Sequence, residues 1–104
     1  MNNLQSPEAT SYDVVILGGA MLGSSVAWFT ATNPDFNGSI LVVEKDPTYE
    51  FTSTAHTNSC MRQQFSNEVN IRVSQFAAEF VKNFRSFMGD DERVPQPVLQ
   101  SFGY

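Results

Sequence analysis

The stretch from Tyr12 to Glu44 constrains this chain more than any other. It opens on an apolar run, Tyr12 to Leu17, rich in β-branched residues, which reads as a strand buried on both faces. Gly18 and Gly19 break the run. From about Ala20 to Ala31 the pattern becomes helical, with Leu22, Val26 and Phe29 at i, i+4 and i+7. Asn33-Pro34 ends the helix, because the residue before proline is pushed out of the α region. Asp35 to Gly38 is a turn cluster, and Ile40 to Val43 reads as a second buried strand that ends at the acidic Glu44. Strand, glycine turn, helix, strand and terminal acid in this order form a β-α-β unit of the dinucleotide-binding type.

Each glycine of such a turn has a physical task. The pattern asks for glycine at the first, third and sixth places of Gly18-Gly19-Ala20-Met21-Leu22-Gly23. The first permits the tight turn, the third lets backbone approach a pyrophosphate, and the sixth lets the helix pack on the sheet. Gly18 and Gly23 fit, whereas Ala20 places a methyl at the third position, where it is expected to crowd the pyrophosphate. The helix N-terminus behind the turn, beginning at Met21, offers amides and a partial positive charge to phosphates. Glu44 lies 21 residues past Gly23, where a carboxylate accepts hydrogen bonds from ribose hydroxyls and repels a 2′-phosphate, which disfavours NADP. An NAD-binding domain of a dehydrogenase shares all of these features.

The remainder of the chain is expected to add a long loop and one strong helix. Residues 1–11 lack a basic and apolar leader pattern and read as a flexible tail. Lys45 to Gln64 reads as loop. Asn67 to Met88 carries one apolar stripe, from Val69 and Val73 through Phe76, Phe80 and Phe84 to Phe87, expected to pack on the sheet. Ser66 is the expected N-cap, with Glu68 in the first turn and Gly89 as the C′ residue. Pro95 and Pro97 force extended backbone, and Val98 to Tyr104 has the makings of another strand. Two strands and two helices make a poor core, so residues 12–104 read as the incomplete N-terminal part of a larger α/β binding domain.

Composition narrows the function classes. A net charge of −5 without a Lys/Arg cluster argues against a nucleic-acid partner. The longest uninterrupted apolar run is far too short to span a membrane, and a soluble cytoplasmic protein is the default expectation. One cysteine excludes an intrachain disulfide, and no cysteine–histidine cluster suggests a metal.

Downstream of Glu44, Ser53-Thr54-Ala55-His56-Thr57-Asn58-Ser59-Cys60-Met61-Arg62-Gln63-Gln64-Phe65-Ser66 resembles the flavin-proximal segment of the D-amino-acid oxidase-like family of FAD-dependent amine and amino-acid oxidoreductases. The resemblance covers about residues 12–88. It implies FAD as cofactor and oxidation of a C–N bond in a small amine or amino acid, of the sarcosine, glycine or D-amino-acid kind. Carried over by position, Gly18, Gly19, Ala20, Met21 and Gly23 match the pyrophosphate turn, Glu44 the ribose acid and Lys45 its neighbour near the adenosine. Ser53 and Thr54 match small polar positions near the pyrophosphate and ribityl chain. Asn58, Ser59, Cys60, Met61 and Arg62 match the bend that approaches the flavin ring, with Ser59 and Cys60 standing where many relatives carry glycine. His56 corresponds loosely to a histidine that carries flavin covalently in one branch, against the plainer reading of a polar loop residue. Arg62 is either a positive charge near the flavin or a partner for a nearby acid, and Cys60 reads as a small packed residue. No catalytic residue is identifiable, because the substrate-binding part of such a protein is not among these residues. A non-catalytic, truncated module is the remaining alternative.

Overall fold

The computed structural model describes residues 6–100, which carry the elements β1 (Val14–Leu17), α1 (Met21–Ala31), β2 (Ile40–Val43), α2 (Glu68–Lys82) and α3 (Phe84–Phe87). The chain divides into two compact units, Met1–Asn58 and Ser59–Tyr104. Residues 1–5 of the expected tail and 101–104 of the expected last strand lie outside the described residues. Residues 6–11 are exposed and carry neither helix nor strand, and residues 98–100 form no strand. No helix among the described residues is long and apolar enough to cross a membrane.

The first unit is a Rossmann-type β-α-β unit. β1 and β2 pair in parallel, with Val14 opposite Ile40 and Leu17 opposite Val43. The pairing is closed at both ends, by Val14 N–H donating to Ser39 O (3.0 Å) and Gly18 N–H donating to Val43 O (2.8 Å). At the opening end Asp13 Oδ2 accepts from both the backbone N–H (2.7 Å) and the hydroxyl (3.0 Å) of Ser39. These two bonds, the backbone one first, hold the Asp13 carboxyl below the usual carboxylate range. α1 ends where Asn33-Pro34 predicts. Thr32 N–H and hydroxyl both bond Trp28 O, and Phe36 N–H closes a turn onto Asn33 O.

Two expectations for this unit are corrected. β1 is not buried on both faces: Val14 and Ile16 are half-buried, while Val15 is exposed and Leu17 is 82% exposed. Two strands with one crossover helix cover one face only, so the alternate side chains stay in solvent. Nor is Leu22-Val26-Phe29 the inner stripe of α1; Leu22 is 80% exposed, and Gly23, Ser25, Ala27, Trp28 and Thr30 are the half-buried positions. Close approach at Gly23 sets the rotation of the helix. A β-carbon there would fall 1.7 Å from Gly18 O and 3.2 Å from Ile16 Cγ2, so glycine is required and its helical neighbours follow it inward.

The second unit is helical. Asn67, not Ser66, caps α2, its Oδ1 accepting from Val69 N–H at 2.9 Å. Glu68 in the first turn pairs with Arg72 one turn on, at 2.7 Å. The helix does not run unbroken to Met88. It stops at Asn83, whose side-chain amide folds back onto Glu79 O (2.9 Å), and resumes as the short α3. Gln96 bridges the break: its Nε2 donates to Val81 O and Lys82 O (both 3.0 Å), and its Oε1 accepts from Arg85 N–H (3.0 Å). The carbonyls and the amide orphaned at a helix break are thereby satisfied. Gly89 takes the expected left-handed conformation at φ +82°. Phe80 meets Phe76, Phe84 and Phe87, with ring centroids 6.3, 5.6 and 4.9 Å away. Ala78 is buried, but the N-terminal part of the apolar stripe is open, Val69 being 66% exposed. Among the described residues no large side chain is fully buried.

Candidate functional site

The glycine turn is the best-defined constellation of the first unit. Gly18 leaves β1 at φ +104°, a conformation that L side chains rarely adopt. Ala20 follows at φ −73° and ψ −158°, extended backbone that any residue accepts, and serves as N-cap of α1 without a side-chain bond of its own. Alanine at the third motif position therefore imposes no backbone strain. The missing cap arrives from far along the chain, because Thr54 Oγ1 accepts from Met21 N–H at 3.3 Å. Ser24 hydroxyl bonds Gly19 O and ties the first turn of α1 to the glycine loop.

Glu44 closes the constellation from the other strand. Its Oε2 accepts from Gly19 N–H at 2.8 Å and its Oε1 from Asp46 N–H at 2.9 Å. The Gly19 amide first, then the Asp46 amide, hold the carboxyl below its usual range. Each carboxylate oxygen keeps a further acceptor position, so the anchored group can still receive hydroxyl protons. The end of β2 and the glycine turn are thus one hydrogen-bonded unit, and a β-carbon clash at Gly23 shows how closely the helix N-terminus sits against it.

The loop after Glu44 folds as a series of tight turns. Asp46 Oδ1 accepts from Thr48 N–H (3.0 Å) and hydroxyl (2.7 Å), the hydroxyl being the larger cause of the lowered Asp46 pKa. Tyr49 N–H bonds Asp46 O, Thr52 N–H bonds Tyr49 O, and His56 N–H bonds Ser53 O. His56 Nε2 lies 2.8 Å from Glu50 O, a contact in which the ring N–H donates and Nδ1 carries no proton in the neutral ring. Lys45 and Ser53 are exposed.

The structure therefore gathers Gly18, Gly19, Ala20, Met21, Gly23, Glu44 and Thr54, with Ser53 and His56 further along the same loop. Asn58 ends the first unit, and Ser59, Cys60, Met61 and Arg62 open the second in an exposed stretch without helix or strand. Ser59 stands at φ +58°, the left-handed conformation suited to the glycine of the resembling family. Cys60 is exposed rather than packed, since that stretch has no element to cover it. Sequence reasoning missed Asp46 and Tyr49; the Asp46-Pro47-Thr48 turn signal was the available clue.

The chain is similar to FAD-dependent oxidoreductase domain-containing protein 1 of Xenopus laevis, 40% identical over 86 residues that make up 79% of this chain and 17% of that protein. The Bos taurus protein of the same name is 44% identical over 78 residues, 73% of this chain and 16% of its own length. A Drosophila melanogaster homolog is 38% identical over 82 residues, 79% and 16% of the two chains. The chain thus spans about a sixth of the length of the curated relatives it matches. These names support an FAD-dependent oxidoreductase family. No family model matches the chain, and no solved structure matches it.

Proposed function

We propose that this chain is the FAD-binding segment of a flavin-dependent oxidoreductase that oxidises a C–N bond of a small amine or amino acid, of the D-amino-acid oxidase-like kind. The observation that carries the reading is the meeting of Glu44 with Gly19 N–H, which sets a ribose-type acceptor directly on a phosphate-type turn. The residues present fit an adenine dinucleotide. Gly18 and Gly23 leave the turn tight, the N-terminus of α1 begins directly behind it at Met21, and Glu44 keeps acceptor positions for ribose hydroxyls. An anchored carboxylate also opposes a 2′-phosphate, which speaks against NADP.

FAD is favoured over NAD by the names of the relatives and by the Ser53 to Phe65 resemblance, which an NAD-binding domain does not account for. Bound flavin would supply the two-electron redox chemistry, and the chain supplies position and electrostatics. Thr54 orders the start of α1, and Glu44 fixes the turn against the sheet. His56 is read as a loop residue engaged with Glu50 O, and the reading takes the flavin as one that would be held without a covalent bond. The test is to purify the full-length protein, record its absorbance and precipitate it with acid. Flavin bands from the native protein and FAD in the acid supernatant are expected. A colourless protein that binds NAD overturns the reading, and flavin pelleting with the polypeptide overturns its non-covalent part.

A further inference from the structure

Tyr49 takes a conformation that is uncommon for a bulky side chain, with φ at +58°. Two turns impose it. On one side Tyr49 N–H bonds Asp46 O at 3.0 Å; on the other, Thr52 N–H and hydroxyl both bond Tyr49 O, at 3.1 and 2.8 Å. The result is that the ring points back at the glycine turn. A β-carbon placed on Gly19 would lie 3.3 Å from Tyr49 Oη, 3.4 Å from Val42 Cγ1 and 3.5 Å from Glu44 Cβ. Tyr49 and Glu44, five residues apart in sequence, therefore converge on the same glycine. Their chemistry is complementary. Glu44 is an acceptor already anchored by the Gly19 and Asp46 amides. The Tyr49 hydroxyl is a donor that makes no hydrogen bond among the described residues, on a side chain that a ligand can reach. A vicinal diol needs such a combination, an acceptor for its protons and a donor for its oxygens.

The geometry points to Tyr49 as a ribose-binding residue for the adenosine half of the dinucleotide, acting beside Glu44. This rests on the FAD reading above. It uses strain at a single backbone position to aim a donor, a placement typical of binding sites.

The experiment is calorimetric titration of the full-length apoprotein with FAD, ADP, 2′-deoxy-ADP and 3′-deoxy-ADP, for the natural protein and for Tyr49→Phe. The phenylalanine variant keeps the ring and loses only the hydroxyl, and its melting curve verifies the fold. Loss of one hydrogen bond is expected to weaken ADP roughly five- to tenfold. At least one deoxy analogue should weaken much less, because its missing hydroxyl is the one Tyr49 contacts. Unchanged ADP affinity in Tyr49→Phe, or an equal loss for all three ADP ligands, overturns the ribose role while leaving the FAD reading intact. A natural protein that binds neither FAD nor ADP overturns both.

Discussion

Each of the two units is held in shape by a different kind of bond. In the first, side chains reach across 25 to 33 residues to single backbone amides: Glu44 to Gly19, Ser39 with Asp13, Thr54 to Met21. In the second, most bonds are local: Asn67 caps its own helix, Arg72 pairs with Glu68, and Phe80 meets rings one or two turns away. Long-range polar bonds fix the positions of particular atoms, whereas local helical bonds fix an element and leave its face open. A site for a ligand with phosphates and hydroxyls needs atoms in fixed positions, and the first unit is where the chain provides them.

The two units should differ most at two glycines. Gly23→Ala drives a β-carbon into Gly18 O and should cost about 3 kcal/mol, the upper range for overpacking, because backbone and not a flexible side chain must yield. Gly89→Ala meets nothing within 4 Å and should cost only about 1 kcal/mol for its left-handed conformation. Denaturant titration of both variants checks the contrast; equal losses would mean that the turn and the helix end are equally forgiving.

Acid should separate the units next. The folded pKa values of Asp13 and Glu44 lie below their ordinary ones, owing chiefly to the Ser39 and Gly19 amides. Their stabilising contribution is complete above the unfolded values, about 4. It is lost as pH falls through the lower folded values. Hydrogen exchange corrected for intrinsic rates should therefore show Gly19 and Ser39 amides keeping protection above about pH 4 and losing it as the pH falls further. The Val69 amide, capped by a side chain that does not titrate, should keep its own.

Smaller effects belong to the second unit. Gln96→Ala removes the bridge across the α2–α3 break and should cost about 1 kcal/mol net. Its signature is fraying at Val81 to Arg85 with α2's N-terminus unchanged, readable by the same exchange experiment. Ser59→Gly relieves a left-handed serine and should stabilise by roughly 0.5 kcal/mol, the relief being partly offset by glycine's entropy. A loss of stability in that variant would show the serine side chain to be needed there.

These differences also explain what the sequence reveals and what it hides. Gly18, Gly23 and Glu44 are legible because their tasks follow from fixed spacing along one crossover unit. The rotation of α1 is not: Leu22, Val26 and Phe29 look like an inner stripe, yet contact at Gly23 turns that residue, Ala27 and Thr30 inward and leaves Leu22 in solvent. The N-cap slips by one residue, from Ser66 to Asn67, since both are good caps and only the observed bond to Val69 separates them. The stop at Asn83 is hidden because Gln96, 13 residues later, makes the break tolerable. Tyr49 escapes for the same reason, since only the folded turns reveal that its ring comes back to Gly19. Local periodicity predicts elements; side-chain bonds between distant positions decide where they start, stop and face.

On the proposed reading, the glycine turn of the first unit receives the phosphate and ribose end of FAD. Backbone amide shifts of the full-length apoprotein, recorded as FAD is added, test it most directly. Saturable shifts are expected at Gly18, Gly19, Met21, Gly23, Glu44 and Thr54, reproduced by ADP. Unmoved turn amides in a protein that nevertheless binds FAD would contradict it.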